Sequence, residues 1–201
     1  MNEDQAHSIL KSYYSKLAGA IVRSFETYRT RYPHRPIHQR RTTANVMCDE
    51  IWAEIVNEFD EDAPRVRPIE QSYGLRLLGI AGANGEIEVL LWFKKFDRSK
   101  RPRSIMATGR SKRMFKGGTL EMFDKAAMLV VGYQLNLEET RIRGVSICQL
   151  LDGRPEWYID LDLPEAPAKI VQLPDRSPQA PSGRRRVIVR RTSQKRLSND
   201  S

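Results

Sequence analysis

Between Gln5 and Tyr28 apolar residues return every three or four positions, at Leu10, Tyr13, Leu17, Ile21, Phe25 and Tyr28. That spacing lines them up on one side of a helix, the side that must be buried. The helix has to end before "RYPHRPIH", because Pro33 and Pro36 lack the N–H groups needed to continue it. A second helix is expected to begin with Thr42 or Thr43 as its N-cap, and it carries Met47, Cys48, Ile51, Trp52, Ile55 and Phe59 at the same spacing. Its other face is acidic, with Asp49, Glu50, Glu54 and Glu58. The charged, proline-bearing stretch "DEDAPRVRP" reads as the loop that closes it.

After residue 73 the pattern changes to that of strands. "YGLRLLGI" and "EIEVLLWFKKF" flank "AGANG", and Asn84-Gly85 is the dipeptide that tolerates the positive φ angles of a hairpin turn. "RSIMATG", residues 103–109, is expected to add a short strand. Leu120, Phe123, Ala127 and Val130 share one face of a third helix, expected over Thr119 to Tyr133. "RIRGVSICQL" and "EWYIDLDL" form a second hairpin across Asp152-Gly153. The expected fold class is α+β: two N-terminal helices and a mainly antiparallel sheet of two hairpins with an intervening helix. This domain spans residues 1–163. Residues 164–201 are rich in Pro, Ser and Arg and poor in apolar side chains, so a disordered basic tail is expected there.

Charge adds a direction to this picture. The net charge is +9, of which the tail holds +6. Within the body, the block Lys94, Lys95, Arg98, Lys100, Arg101, Arg103, Arg110, Lys112, Arg113 and Lys116 faces only Asp97. A core strand therefore runs directly into a dense cationic loop, a field suited to phosphate backbones. Lysines and arginines at a strand end also discourage edge-to-edge pairing, and the acidic second helix is able to neutralise the loop within one chain or across a homodimer. An acidic or regulatory protein is the alternative partner.

Catalytic and metal-binding patterns are sparse. His7, His34 and His38 all precede the sheet, and Pro36 interrupts the i, i+4 pair of His34 and His38, which has no neighbouring Glu or Cys to complete a zinc site. Neither "GIAGANGE" nor "MFKGGT" has the order of a phosphate-cradling loop. Glu50, Glu54, Glu86 and Glu88 with Lys94 or Lys95 offer the residue types of a Mg²⁺-dependent nuclease. Lys94 stands six positions past Glu88, on the order of 20 Å along an extended strand, which argues against one shared site. Catalytic residues, metals and cofactors are accordingly not expected, and the reading leans away from an enzyme. Cys48 and Cys148 have neither metal nor disulfide spacing and read as buried thiols of a reducing compartment. No run approaches the roughly 18 apolar residues of a membrane span, and "MNEDQAHSILKSYYS" lacks the order of a signal peptide. A soluble cytoplasmic protein without membrane contact is expected.

Several short motifs carry a resemblance: Cys48-Asp49 inside a helix, Phe93-Lys94-Lys95 at a strand end, Gly132-Tyr133-Gln134-Leu135-Asn136 followed by Thr140, then "VSIC" and Trp157. Over about residues 43–162 the chain resembles a group of small bacterial proteins of mobile elements and prophages, often encoded beside Xre-type repressors and ImmA/IrrE-type metallopeptidases. The resemblance implies a setting of regulation or phage defence, including toxin–antitoxin systems, and implies no catalytic residues. The basic tail departs from that pattern. The expected function is a DNA- or RNA-binding accessory or regulatory protein that contacts phosphates through the cationic loop. The alternatives are an interaction module for a repressor or peptidase, docking through the acidic helix, and a nuclease-type toxin.

Overall fold

The computed structural model describes residues 1–32, 40–71, 75–102, 123, 125–151 and 154–164. All belong to one compact unit, Met1–Glu165. Helix α1, Glu3–Leu10, starts with a capping box in which Asn2 Oδ1 accepts from the Gln5 N–H and Gln5 Oε1 accepts from the Asn2 N–H. A 3₁₀ turn over Lys11–Tyr13 leads into α2, Tyr14–Arg31, so the first expected helix exists with a local tightening in its course. Helix α3 spans Arg40–Glu58 and starts slightly before the threonines expected to cap it. Among the described residues no helix is long and apolar enough to cross a membrane.

Strands β1 (Val66–Gln71), β2 (Leu75–Ala81), β3 (Ile87–Lys95), β4 (Ala127–Leu135), β5 (Ile142–Leu151) and β6 (Arg154–Leu161) form one sheet in sequence order. Every neighbouring pair is antiparallel except β3 and β4, which run parallel from Val89↔Ala127 to Lys95↔Tyr133. The molecule is thus α+β with a mostly antiparallel sheet, and both expected hairpins are present as β2–β3 and β5–β6. In the first, Gly85 takes φ +79°, and Asn84 Oδ1 accepts from the Glu86 N–H.

Two expectations need correction. Ala127–Tyr133 is not helical; it is the body of β4. The helices pack on one sheet face, against Leu78, Val89, Leu91, Leu129, Val131 and Ile147, while Leu77, Leu90, Trp92, Val130 and Cys148 form a second buried cluster on the other face. A strand buried on both sides carries a continuous apolar run, and a short run of that kind has no periodicity to separate it from a helix. The second correction is β1, which lies in part of the supposed loop. Pro68 sits inside it and is tolerated because β1 is an edge strand, paired among the described residues with β2 on one side only. The remaining expectations for residues 103–109, for Thr119 to Met122 and for the tail 164–201 lie outside the described residues, apart from Pro164.

Candidate phosphate-contact loop and adjoining cavity

The described residues of the cationic block, Lys94 to Arg101, do not form one patch. Beyond β3, Phe96 N–H donates to Tyr133 O, and the chain then turns tightly around Asp97. Asp97 Oδ1 accepts from the N–H groups of Ser99 and Arg101 at 2.8 and 2.9 Å, and Asp97 N–H donates to Arg101 O at 2.8 Å. Lys100 occupies the left-handed region at φ +57°, an uncommon place for a lysine that needs local support. That support is visible: its Nζ lies 2.5 and 2.6 Å from the two Asp160 carboxylate oxygens, and its carbonyl accepts from the Tyr158 hydroxyl at 3.1 Å. Ser146 Oγ also donates to Asp160, and Gln134 Nε2 donates to Asp97 O at 2.7 Å. Partial burial works to raise the Asp160 pKa, and the hydrogen bonds from Lys100 and Ser146 outweigh it, leaving the carboxyl below its ordinary value.

These contacts sort the candidate residues. Lys100 is an anchor. Lys95 is paired with Glu139 at 2.9 Å. Arg98 and Arg101 are exposed and make no ion pair among the described residues. Arg103, Arg110, Lys112, Arg113 and Lys116 lie outside the described residues. Lys94 takes a different course: its Nζ sits over the Trp92 ring, 4.0 Å from the centroid. Burial holds its pKa below the ordinary lysine value.

Lys94 lines a cavity of about 420 Å³ with Asn45, Cys48 and Trp52 of α3, Arg76 of β2 and Trp92. The opening has a structural origin. The β2–β3 ladder joins Leu78–Ala81 to Ile87–Leu91 and does not extend to Leu75–Leu77 and Trp92–Lys94. Where the two strands part, side chains from β3 and from α3 meet in one space. Arg76 is committed, with Nε 3.0 Å from Glu70 and a second nitrogen 2.5 Å from Asp49. Burial pushes the Cys48 thiol pKa up, against the opposing pull of Lys94, so the thiol is neutral at ordinary pH. Sequence reasoning missed Asn45, Trp52, Arg76 and Trp92 as neighbours, since nothing in their spacing reveals where two strands separate.

Two of the motif residues, Asn136 and Thr140, have an architectural role. Asn136 organises the β4–β5 loop: its Oδ1 accepts from the N–H groups of Thr140 and Arg141, its Nδ2 donates to Thr140 Oγ1, and Arg29 donates to Thr140 O at 2.6 Å. Asn136→Ala is expected to lower stability by about 1–2 kcal/mol, read as a shifted urea midpoint at constant slope. A midpoint within error of wild type would remove this role.

The acidic face of α3 is also occupied. Glu54 and Glu58 pair with Arg23, Glu50 with Arg31 and Asp49 with Arg76. Of the carboxylates considered for a nuclease, Glu50 and Glu54 are paired with arginines, and no group of three or more His, Cys, Asp or Glu suited to a metal occurs among the described residues. His7 contacts the Tyr14 hydroxyl, while His34 and His38 lie outside the described residues. No family model matches the chain, and no curated protein or solved structure shows significant similarity to it.

Proposed function

We propose that the protein is a non-enzymatic nucleic-acid-binding accessory or regulatory protein of a bacterial mobile-element, prophage or defence locus. The observation that carries this reading is the division of labour in the turn after β3. Lys100 is spent on Asp160 to hold the turn, and the turn leaves Arg98 and Arg101 exposed. From Arg98 to Lys116 the chain has eight basic residues and no acidic one. Guanidinium groups on a fixed base suit phosphate oxygens, which they contact by paired N–H donors. The sequence carries no recognised base-reading motif beside them, which favours binding directed at the backbone and tolerant of sequence.

The test is fluorescence anisotropy of the full chain with labelled duplex DNA and single-stranded RNA at two salt concentrations. Charge reversal at Arg98→Glu with Arg101→Glu is expected to weaken binding at least about ten-fold and to flatten the dependence of log K on log salt by roughly 1.4–1.8. Lys95→Glu, which breaks an ion pair with Glu139 rather than freeing a phosphate contact, is expected to have the smaller effect. Binding that ignores the double reversal, or none at low salt, sinks the reading.

A further inference from the structure

The geometry points to a second site, independent of the phosphate-contact turn. We propose that the cavity between α3 and the parting of β2 and β3 binds a small organic anion, a carboxylate or phosphate ester on a flat ring, with Lys94 as counter-charge and Trp52 as wall. Its volume of about 420 Å³ falls within the range typical of small-ligand sites.

The anomaly that calls for a ligand is Lys94. An ammonium half withdrawn from water, as Lys94 is, normally has a carboxylate or several hydrogen-bond acceptors, because an unpaired charge becomes costly as it is buried. Here the nearby Asp49 is bound to Arg76, which also takes Glu70. Cys48 is the remaining titratable neighbour lining the space, and burial keeps its proton on. The Trp92 ring supports the ammonium from one side at 4.0 Å, and Lys94 makes no ion pair among the described residues. An ammonium has three N–H donors, and one ring face does not satisfy them. An anion entering the cavity supplies both the charge and the acceptors. The ring of the ligand is inferred from the half-buried Trp52 indole in the same wall, which offers an apolar plane for stacking. Asn45 adds an amide at the rim, able to donate or accept. The lowered pKa of Lys94 accords with this arrangement: it describes the bare site, in which burial works against the charge that an anion would restore.

The experiment is calorimetric titration of the full chain with benzoate and phenyl phosphate, and with benzamide as the uncharged isostere. At least one anion is expected to saturate the protein, and benzamide to bind at least about ten-fold more weakly. Lys94→Met keeps the stem and removes the charge, and should weaken the anion at least about ten-fold; Lys94→Arg should retain most of the affinity. Trp52→Phe should reduce the change in tryptophan fluorescence on binding. Lys94→Met should also melt no lower than wild type, since it replaces a half-buried charge that has no counter-ion among the described residues. The proposal is overturned if neither anion saturates by about 10 mM, if benzamide binds equally well, if Lys94→Met keeps the affinity, or if that variant melts markedly lower. DNA and RNA affinity within about two-fold of wild type in Lys94→Met would keep this site distinct from the turn at Arg98 and Arg101, so either reading can fail alone.

Discussion

Replacing Gly132 by valine is expected to destabilise the protein by about 3 kcal/mol or more, the upper range for forcing volume into a packed core. Gly132 lies in the middle of β4, opposite Lys94 of β3 and Ser146 of β5. A Cβ at this position would come within 2.1–2.2 Å of three ring carbons of Phe96, which is itself 2 % exposed. The backbone that carries the ring is held in place, because the Phe96 N–H donates to Tyr133 O and the residue pairs with Pro102, so relief has to come from the buried ring itself. Urea unfolding of Gly132→Val reads the loss directly. The cause is checked by a double-mutant cycle with Phe96→Ala: the valine should cost less than about half as much once the ring is gone. An equal cost in both backgrounds would place the strain elsewhere, and a wild-type midpoint would contradict the contact altogether.

Phe59→Ala is expected to cost about 3–5 kcal/mol, the usual range for emptying a buried phenylalanine site. Phe59 follows the last turn of α3 and is 1 % exposed. Its N–H still bonds to Ile55 O, its ring meets that of Tyr13 at 5.8 Å, and Lys16 Nζ lies 5.6 Å from its centroid. Lys16 in turn pairs with Asp62 at 2.5 Å, just past the end of the helix. One side chain therefore ties the start of α2 to the end of α3 and to the turn leading toward the sheet. Thermal unfolding should show a fall on the order of 10 °C, whereas Phe59→Leu, which fills most of the space, should lose much less. A fall of under about 3 °C for the alanine variant would mean that the site collapses without cost.

Both predictions concern positions whose importance the chain alone conveys unevenly. Phe59 is legible as the end of an apolar helical stripe that runs through Met47, Ile51 and Ile55, and all four are buried. Gly132 is visible only as part of a short motif, and the reason for it, the ring of Phe96, arrives from 36 positions away. The same contrast separates the elements. The helices and the two hairpins announce themselves through local signals: a 3.6-residue stripe, an Asn-Gly turn, alternation in β6. β4 does not, since "AMLVVGYQL" satisfies a helix and a doubly buried strand equally, and only the parallel partner β3 decides between them.

For the candidate sites the division follows the same line. Composition and order along the chain determined that a core strand leads into a cationic segment, that the first helices are amphipathic, and that an α+β arrangement follows, because these properties depend on neighbours within a few residues. Which cations are exposed was decided by tertiary structure alone. Lys94 turned to Trp92, Lys95 to Glu139 and Lys100 to Asp160, while Arg98 and Arg101 stayed exposed. The partners of Lys95 and Lys100 come from distant segments, and a charge takes its role from the low-dielectric surfaces and counter-charges brought around it, none of which is encoded in its position along the chain.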